Sequence, residues 1–418
     1  MRMTRRTLSV TAGALLLLAT AAPAGAQAPT DTAGERGVYE ITATGDDRHA
    51  LARSGVDVLG SSGETITVVA NPAQARQLEA ADVDLTHVGD FDELLAERNP
   101  EVSDPRAAAD EFPEGDEAFH TYDQLTEVLE TAAADHSDIV ELSDVGETHE
   151  GRTIPLVKIS GGSDADKPEA LFTCNQHARE HLTTEMCLHI VERFTDGYGT
   201  DETVTEFVDS REIWVIPTVN PDGATYDISG GQYQGWRKNR QHQGTDLNRN
   251  WGYEWGCCGG SSGSPTSDTY RGTEAFSAPE TTAVKNFVDS RVVDGEQQIK
   301  THIDFHTYGE LVLWPFGHTT DETTEDMTEE QAQRFQQVGT EMAETNGYTP
   351  QQSSDLYITD GDINGWMWGE HNILSFTFEM YPGSGGGLDG FYPGAEHIEP
   401  ETQRNDEAVD IALREAGA

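Results

Sequence analysis

The 418-residue chain is poor in positive charge: 26 Lys and Arg stand against 75 Asp and Glu, for a formal net charge of −49. That balance argues against a nucleic-acid binder or a protein resting on anionic lipid, because the field of the whole molecule repels phosphates and acidic headgroups alike. It favours solubility and suits high ionic strength, where self-repulsion is screened. Cysteine is scarce too, with only Cys174, Cys187, Cys257 and Cys258. No C-x-x-C pair occurs, which argues against a cysteine-held zinc knuckle. Four cysteines allow three disulfide pairings, and the sequence does not choose among them. Long apolar runs are also absent. The stretch "ALLLLATAA" (14–22) is too short to span a bilayer, no later segment is more apolar, and no internal repeat is visible.

That short run reads instead as export machinery. Arg2, Arg5 and Arg6 precede it and "AGA" (24–26) follows as a cleavage site, so residues 1–26 are expected to be a secretory signal. "TRRTLSV" resembles a twin-arginine signal. Its removal would take three positive charges and no acid, leaving about −52. A secreted protein without stable membrane insertion is expected, in a compartment that permits disulfides.

Residues 27–95 form a candidate small α/β unit. "VYEITA", "VDVLG", "TITVVAN" and "VDLTHVG" read as strands, and "PAQARQLEAAD" reads as a helix capped by Asn71 with Pro72 in its first turn. An acidic, Pro-containing linker spans 96–118, with Arg98 and Arg106 as candidate processing points. From 119 to 418 the pattern changes. Strands are expected at 154–160, 169–175, 212–220, 299–306, 310–316 and 373–380, and helices at 121–134, 182–195, 279–290, 328–346 and 401–415. Near-continuous apolar strands alternating with helices predict an α/β fold: a mixed, mostly parallel central sheet with helices on both faces. Ligands of such sheets sit beyond the carboxyl ends of the strands.

The stretch "CNQHAREHLTTEMC" (174–187) lies at such an end. It can be parsed in two ways. As H-x-x-E, it offers His177 and Glu180 as zinc ligands; as H-x-x-E-H, it offers His177 and His181, with Glu180 as base. The second parsing needs one helix through 177–181, and "LFTCNQ" just upstream favours strand and turn. In the first parsing His177 and Glu180, three apart in a first helical turn, face the same way. His306, closing "THIDFH", supplies a third ligand. Two His and one Glu with an open fourth position is a catalytic zinc pattern. A second H-x-x-E match, His189 and Glu192, falls mid-helix and reads as a surface neighbour pair. Glu379 sits among apolar residues in "FTFEMY", where a carboxylate is costly unless paired, metal-bound or used.

Several ordered motifs surround these residues: "FHTYDQLTEVL", "HEGRTIPLVKIS", "NQHAREH", "PTVNPDG", "GWRKNR", "TDLNRNW", "TYRG", "IDFHTYGELVLWPFG", "LYITDGDINGW" and "FTFE". Together they resemble the zinc metallocarboxypeptidases of the pancreatic carboxypeptidase A/B type, over residue 119 to the C-terminus. The small N-terminal unit then resembles an inhibitory pro-segment. The resemblance implies one zinc on His177, Glu180 and His306, with Glu379 as general base and Arg237 stabilising the oxyanion. Asn248 and Arg249 would take the terminal carboxylate, Tyr357 would close over the substrate, and Arg179 would contact it further from the cut. Asp246 would orient His177 through its second ring nitrogen. Lys238 and Arg240 read as surface charges. The substrates implied are peptide or protein C-termini, hydrolysed by a monomer. At the position where the family carries an apolar residue or Asp, this chain has Asn364; Asp360 and Asp362 lie nearby, and a broad or dual apolar and basic preference is expected. Two other readings fit a zinc site on this fold: an amidase or peptidase acting on cell-wall peptides, and a non-catalytic peptide-binding module.

Overall fold

The computed structural model describes residues 36–42, 45–62, 65–99, 110–162, 167–383 and 387–418. The expected signal at 1–26 and the processing point Arg106 lie outside them.

The N-terminal unit is a four-stranded antiparallel sheet with helices on one face. Strands β1 (Gly37–Thr42), β2 (Asp57–Ser62), β3 (Thr65–Ala70) and β4 (Thr86–Asp90) are ordered β2-β3-β1-β4. Helices α1 (Gly45–Ser54) and α2 (Pro72–Glu79) cover one face. Asn71 caps α2 as expected: it accepts from the Ala73 and Gln74 amides, and Gln74 reaches back to the Asn71 N–H. Alternation along the strands splits the apolar side chains between two cores. Ile41, Ile66 and Val68 meet Leu51 and Leu78 of the helices, while Val38, Leu59 and Val69 join the core of the larger body. Helix α3 (Phe91–Arg98) carries regular structure into the start of the expected linker, and Arg98 pairs with Asp116 at 2.6 Å.

The larger body is built on eight strands: β5 (Val140–Glu147), β6 (Thr153–Ile159), β7 (Glu169–Cys174), β8 (Glu212–Ile216), β11 (Ile299–Thr307), β12 (Leu311–Trp314), β13 (Thr349–Gln352) and β14 (Leu374–Met380). A two-residue hairpin, β9 (Val292–Val293) with β10 (Glu296–Gln297), stands apart. The order is β13-β12-β14-β11-β7-β8-β6-β5. The centre, β14-β11-β7-β8, is parallel, and antiparallel pairs flank it. Every residue of β7 is buried, the burial that a continuous apolar run predicts.

Helices α4 (Tyr122–Asp135), α5 (His181–Gly197), α9 (Glu329–Asn346) and α13 (Asp406–Ala416) cover one face, burying Leu129, Met186, Phe335 and Leu413 in one core. Helices α8 (Pro279–Ser290) and α11 (Ile363–His371) bury Val284, Ile363 and Trp366 in the other. The remaining helices α6 (Glu202–Ser210), α7 (Pro221–Asp227), α10 (Ser353–Leu356) and α12 (Ile398–Gln403) are short.

Strands β5 and β13 escape the sequence reading because they are the two outer strands of the sheet. An edge strand has one flank open to water and keeps polar residues. The single C-terminal helix expected over 401–415 is instead two, broken at Asn405, whose side chain bonds Asn346 and the Glu401 carbonyl. The disulfides are Cys174–Cys187, which ties the end of β7 to α5, and the adjacent pair Cys257–Cys258. No described helix is long and apolar enough to cross a membrane.

Candidate metal centre and substrate cleft

Strand β7 stops at Cys174 because Asn175 turns into the left-handed region at φ 58°. Its carboxamide accepts from Thr218 and donates to the His177 carbonyl, fixing the turn that presents His177. Helix α5 begins at His181, one residue after Glu180. His177 therefore lies outside the helix, and the H-x-x-E-H parsing is wrong in geometry. His181 turns away to Asp227, 2.9 Å distant. His189 pairs with Asp406 on α13 rather than with Glu192.

His306 comes from β11, and the parallel register places it directly beside Glu379 of β14. Paired residues of neighbouring strands project to the same face, so pairing alone brings a candidate ligand and a candidate base together. The Nδ1 atom of His177 lies 2.8 Å from Glu180 Oε1, that of His306 lies 2.9 Å from Glu180 Oε2, and the two Nδ1 atoms are 3.1 Å apart. Each outer nitrogen faces a carboxylate: His177 Nε2 meets Asp246 at 3.1 Å and His306 Nε2 meets Asp304 at 2.5 Å. With protons held on the Nε2 side, both Nδ1 lone pairs and one carboxylate converge on a single point. Tetrahedral ligands about 2 Å from an ion stand roughly 3.3 Å from one another. The donor set and its spacing therefore fit one divalent metal. The other trio of potential ligands among the described residues, Glu254 with Cys257 and Cys258, is exposed and its sulfurs are joined.

Burial lifts the Glu379 carboxyl to about 7, with the Glu180 charge pushing the same way and His306 and Arg237 pulling against it. Glu180 is held far below the usual carboxylate range by the two imidazoles in spite of its burial. Asp246 is likewise lowered, against burial, by Arg237, His177 and Arg249.

Each residue of "DLNRNW" has a separate place. Asp246 accepts from His177, from the Asn248 amide and from a fork of Arg237 at 3.0 and 3.2 Å. Leu247 and Trp251 are core. Asn248 and Arg249 face the cleft. Asn250 ties the loop to the Arg271 and Glu274 carbonyls. Arg249 donates to the Tyr357 hydroxyl at 3.0 Å, and its Nε is buried without a partner.

The same cleft is lined by Leu313, Thr359, Asp362, Asn364 and Thr377, and by Val58 to Ser61 of β2. Arg179 is fully buried under the Phe391 ring and forms two bonds to Asp57 of the N-terminal unit, at 2.8 and 2.9 Å.

Two expectations need correction. Lys238 is buried, not a surface charge: its ammonium donates to the Pro265 and Ser267 carbonyls. Asp360 does not face the cleft as a free acid. It is buried and accepts from the Cys258 and Gly260 amides and the Ser261 hydroxyl. The sequence reading missed Asp304 and Asp57. The signal for Asp304 was present, as a polar residue at every second position of "HIDFH"; nothing local marked Asp57.

The sequence pattern of the family "Peptidase_M14: Zinc carboxypeptidase" matches residues 125–408. A zinc carboxypeptidase of Saccharothrix mutabilis subsp. capreolus is 48% identical over 98% of this chain and 96% of its own length. Carboxypeptidase A1 of Rattus norvegicus is 31% identical over 68% of this chain and 67% of its own. Among solved structures, carboxypeptidase A from Helicoverpa armigera superposes with a TM-score of 0.74 at 23% identity, covering 91% of this chain and 97% of that one. Thrombin activatable fibrinolysis inhibitor does so with a TM-score of 0.69 at 22% identity, over 92% and 99%. A His-Glu-His cluster at the carboxyl ends of parallel central strands, inside a sequence matched over 98% of its length by a zinc carboxypeptidase, places this chain in the zinc carboxypeptidase family, zinc-dependent hydrolases acting at peptide C-termini.

Proposed function

We propose that the chain is exported as a latent precursor and, once its N-terminal unit is removed, releases single residues with apolar or basic side chains from peptide C-termini. The convergence of His177, Glu180 and His306, with Glu379 alongside, carries the catalytic part of this reading. These three residues would hold one zinc, which would supply a Lewis acid for water and the scissile carbonyl. Glu379, lifted toward neutrality, takes a proton from the attacking water and returns it to the leaving nitrogen. Arg237, fixed by Asp246, faces the charge that develops on the carbonyl oxygen. Arg249 and Asn248 bind the terminal carboxylate, the former as a charge-assisted fork, and Tyr357 covers it. Arg179 holds substrate on the far side of the cut. Asp362 and Thr377 give the side-chain pocket polar walls, and Leu313 an apolar one.

Latency is supported by the seat of β2. Asp57 occupies Arg179, and Val58 to Ser61 lie across the cleft. A Cβ on Gly60 would stand 2.5 Å from the Tyr308 ring, so the strand is as close as a backbone can come. The test uses a blocked dipeptide and its C-terminal amide, assayed with the intact chain and with the chain cleaved between Asn99 and Asp110. Hydrolysis of the free acid alone, by the cleaved form alone, is expected. Equal turnover of the amide would overturn the role of Arg249, and equal activity before cleavage would overturn latency.

A further inference from the structure

Beneath the cleft, polar side chains form an unbroken chain through the sheet. His302, Asp304 and His306 lie on one face of β11, and Ser375, Thr377 and Glu379 are their register partners on β14. Thr173 is the partner of Asp304 on β7. Starting from the metal centre, Asp304 meets Thr173 Oγ1 at 2.5 Å, Thr173 meets His302 Nε2 at 2.9 Å, and His302 Nδ1 meets Ser375 Oγ at 2.8 Å. Ser375 Oγ lies 2.6 Å from the Asn364 carboxamide, whose other end lies 2.8 Å from Thr377 Oγ1. Thr173, His302, Asp304, Ser375 and Asn364 are all buried, so no bulk water can supply a missing donor.

One end of the chain has a fixed direction. The Trp251 indole can only donate, and it faces Gln176 Oε1 at 3.1 Å, which turns the Gln176 amide nitrogen onto Asp304 at 2.5 Å. Asp304 accepts there through Oδ2, and its Oδ1 accepts from the Thr173 hydroxyl. The Thr173 proton goes to it, so Thr173 accepts from His302 Nε2. Burial keeps His302 neutral, lowering it to about 4, which leaves Nδ1 to accept from Ser375. Ser375 must then accept from Asn364, and the Asn364 oxygen must receive the Thr377 hydroxyl proton. As placed, the Asn364 oxygen faces Ser375 and the nitrogen faces Thr377; the two ends of a carboxamide have the same shape, and the network decides between them.

We propose that Thr173, His302 and Ser375 are positioning residues that carry the polarity of Asp304 to Asn364, so that the pocket wall formed by Asn364 and Thr377 presents acceptors to a C-terminal side chain that donates hydrogen bonds. With Asp362 also lining the cleft, its carboxylate held by the Gly365 amide and the Thr359 hydroxyl, the favoured class is amide, ammonium or guanidinium side chains. Reversing the chain would turn the Thr377 proton toward the pocket and favour acceptors. The inference rests on the reading of this cleft as the site of the C-terminal residue.

The test compares zinc-loaded, processed wild-type chain with Thr173→Val, which keeps shape and loses the hydroxyl, and Thr173→Ser, which keeps the hydroxyl. Each is assayed on blocked dipeptides ending in Gln or in Met, residues of similar size. The ratio of the two kcat/KM values does not depend on how much enzyme is folded. Thr173→Val is expected to lower the Gln-to-Met ratio about fivefold, mainly through KM, as expected for one hydrogen bond, and Thr173→Ser is expected to keep it. An equal fall for both substrates, or an unchanged ratio, overturns the proposal. A wild type that cleaves neither dipeptide overturns the carboxypeptidase substrate reading instead. The relay is then judged by ¹⁵N NMR of the histidines in the full chain: a His302 ring protonated at Nε2 supports it, and one protonated at Nδ1 overturns it.

Discussion

Glu379 is the residue whose environment most plainly serves chemistry. A general base must be ionised to act, and burial lifts this carboxyl to about 7; a bound dication draws it back down. The sign follows: kcat/KM should fall tenfold per pH unit on an acid limb at or below about 7, where Glu379 takes up its proton. Glu379→Gln should lose about 10²- to 10⁴-fold in kcat and the acid limb with it, while zinc measured by metal analysis stays bound. Asp304 acts through a different residue. Its bond to His306 Nε2 leaves Nδ1 of that ring facing Glu180, so Asp304→Asn should weaken zinc about 10- to 100-fold in competition with a chelator. Asp246 does the same for His177, but it was readable from "DLNRNW", whereas Asp304 required the register of the sheet.

At the scale of elements, what the sequence made legible was what periodicity and caps encode. The four central strands, the helices α4, α5, α8 and α9 and the Asn71 cap all announce themselves by apolar runs or end signals. The polar outer strands β5 and β13 do not, because burial on one flank alone leaves no clear pattern. Alternation was visible in "HIDFH" and "SFTFE", yet it marked two polar half-strands that become neighbours only through pairing. The Asp57–Arg179 bond joins residues on separate units, and no local pattern encodes it. It does carry a prediction. Asp57→Ala leaves the Arg179 guanidinium buried without its charge partner, and breaking such a pair costs about 3–5 kcal/mol. The variant precursor should therefore seat β2 less firmly and show higher activity before cleavage, read as initial rate on a blocked dipeptide.

For the whole molecule, the acid excess is the dominant global property. A net charge of −49 repels itself across the fold, and salt screens that repulsion over about 10 Å at 0.1 M. The melting temperature should therefore rise with added sodium chloride. A flat or falling curve would show that specific ion pairs, such as Arg193 with Asp410 or Arg404 with Glu310, matter more than the overall field. The two cores pack against the central parallel strands, and the turn after Cys174 and the end of β11 bring His177 and His306 to one place.

The most direct measurement is anomalous diffraction at the zinc edge from crystals of the zinc-loaded chain. A single ion about 2.0–2.2 Å from His177 Nδ1, a Glu180 carboxylate oxygen and His306 Nδ1 is the predicted result. An ion bound through Nε2 of either ring, or held by His181 in place of Glu180, would contradict the account.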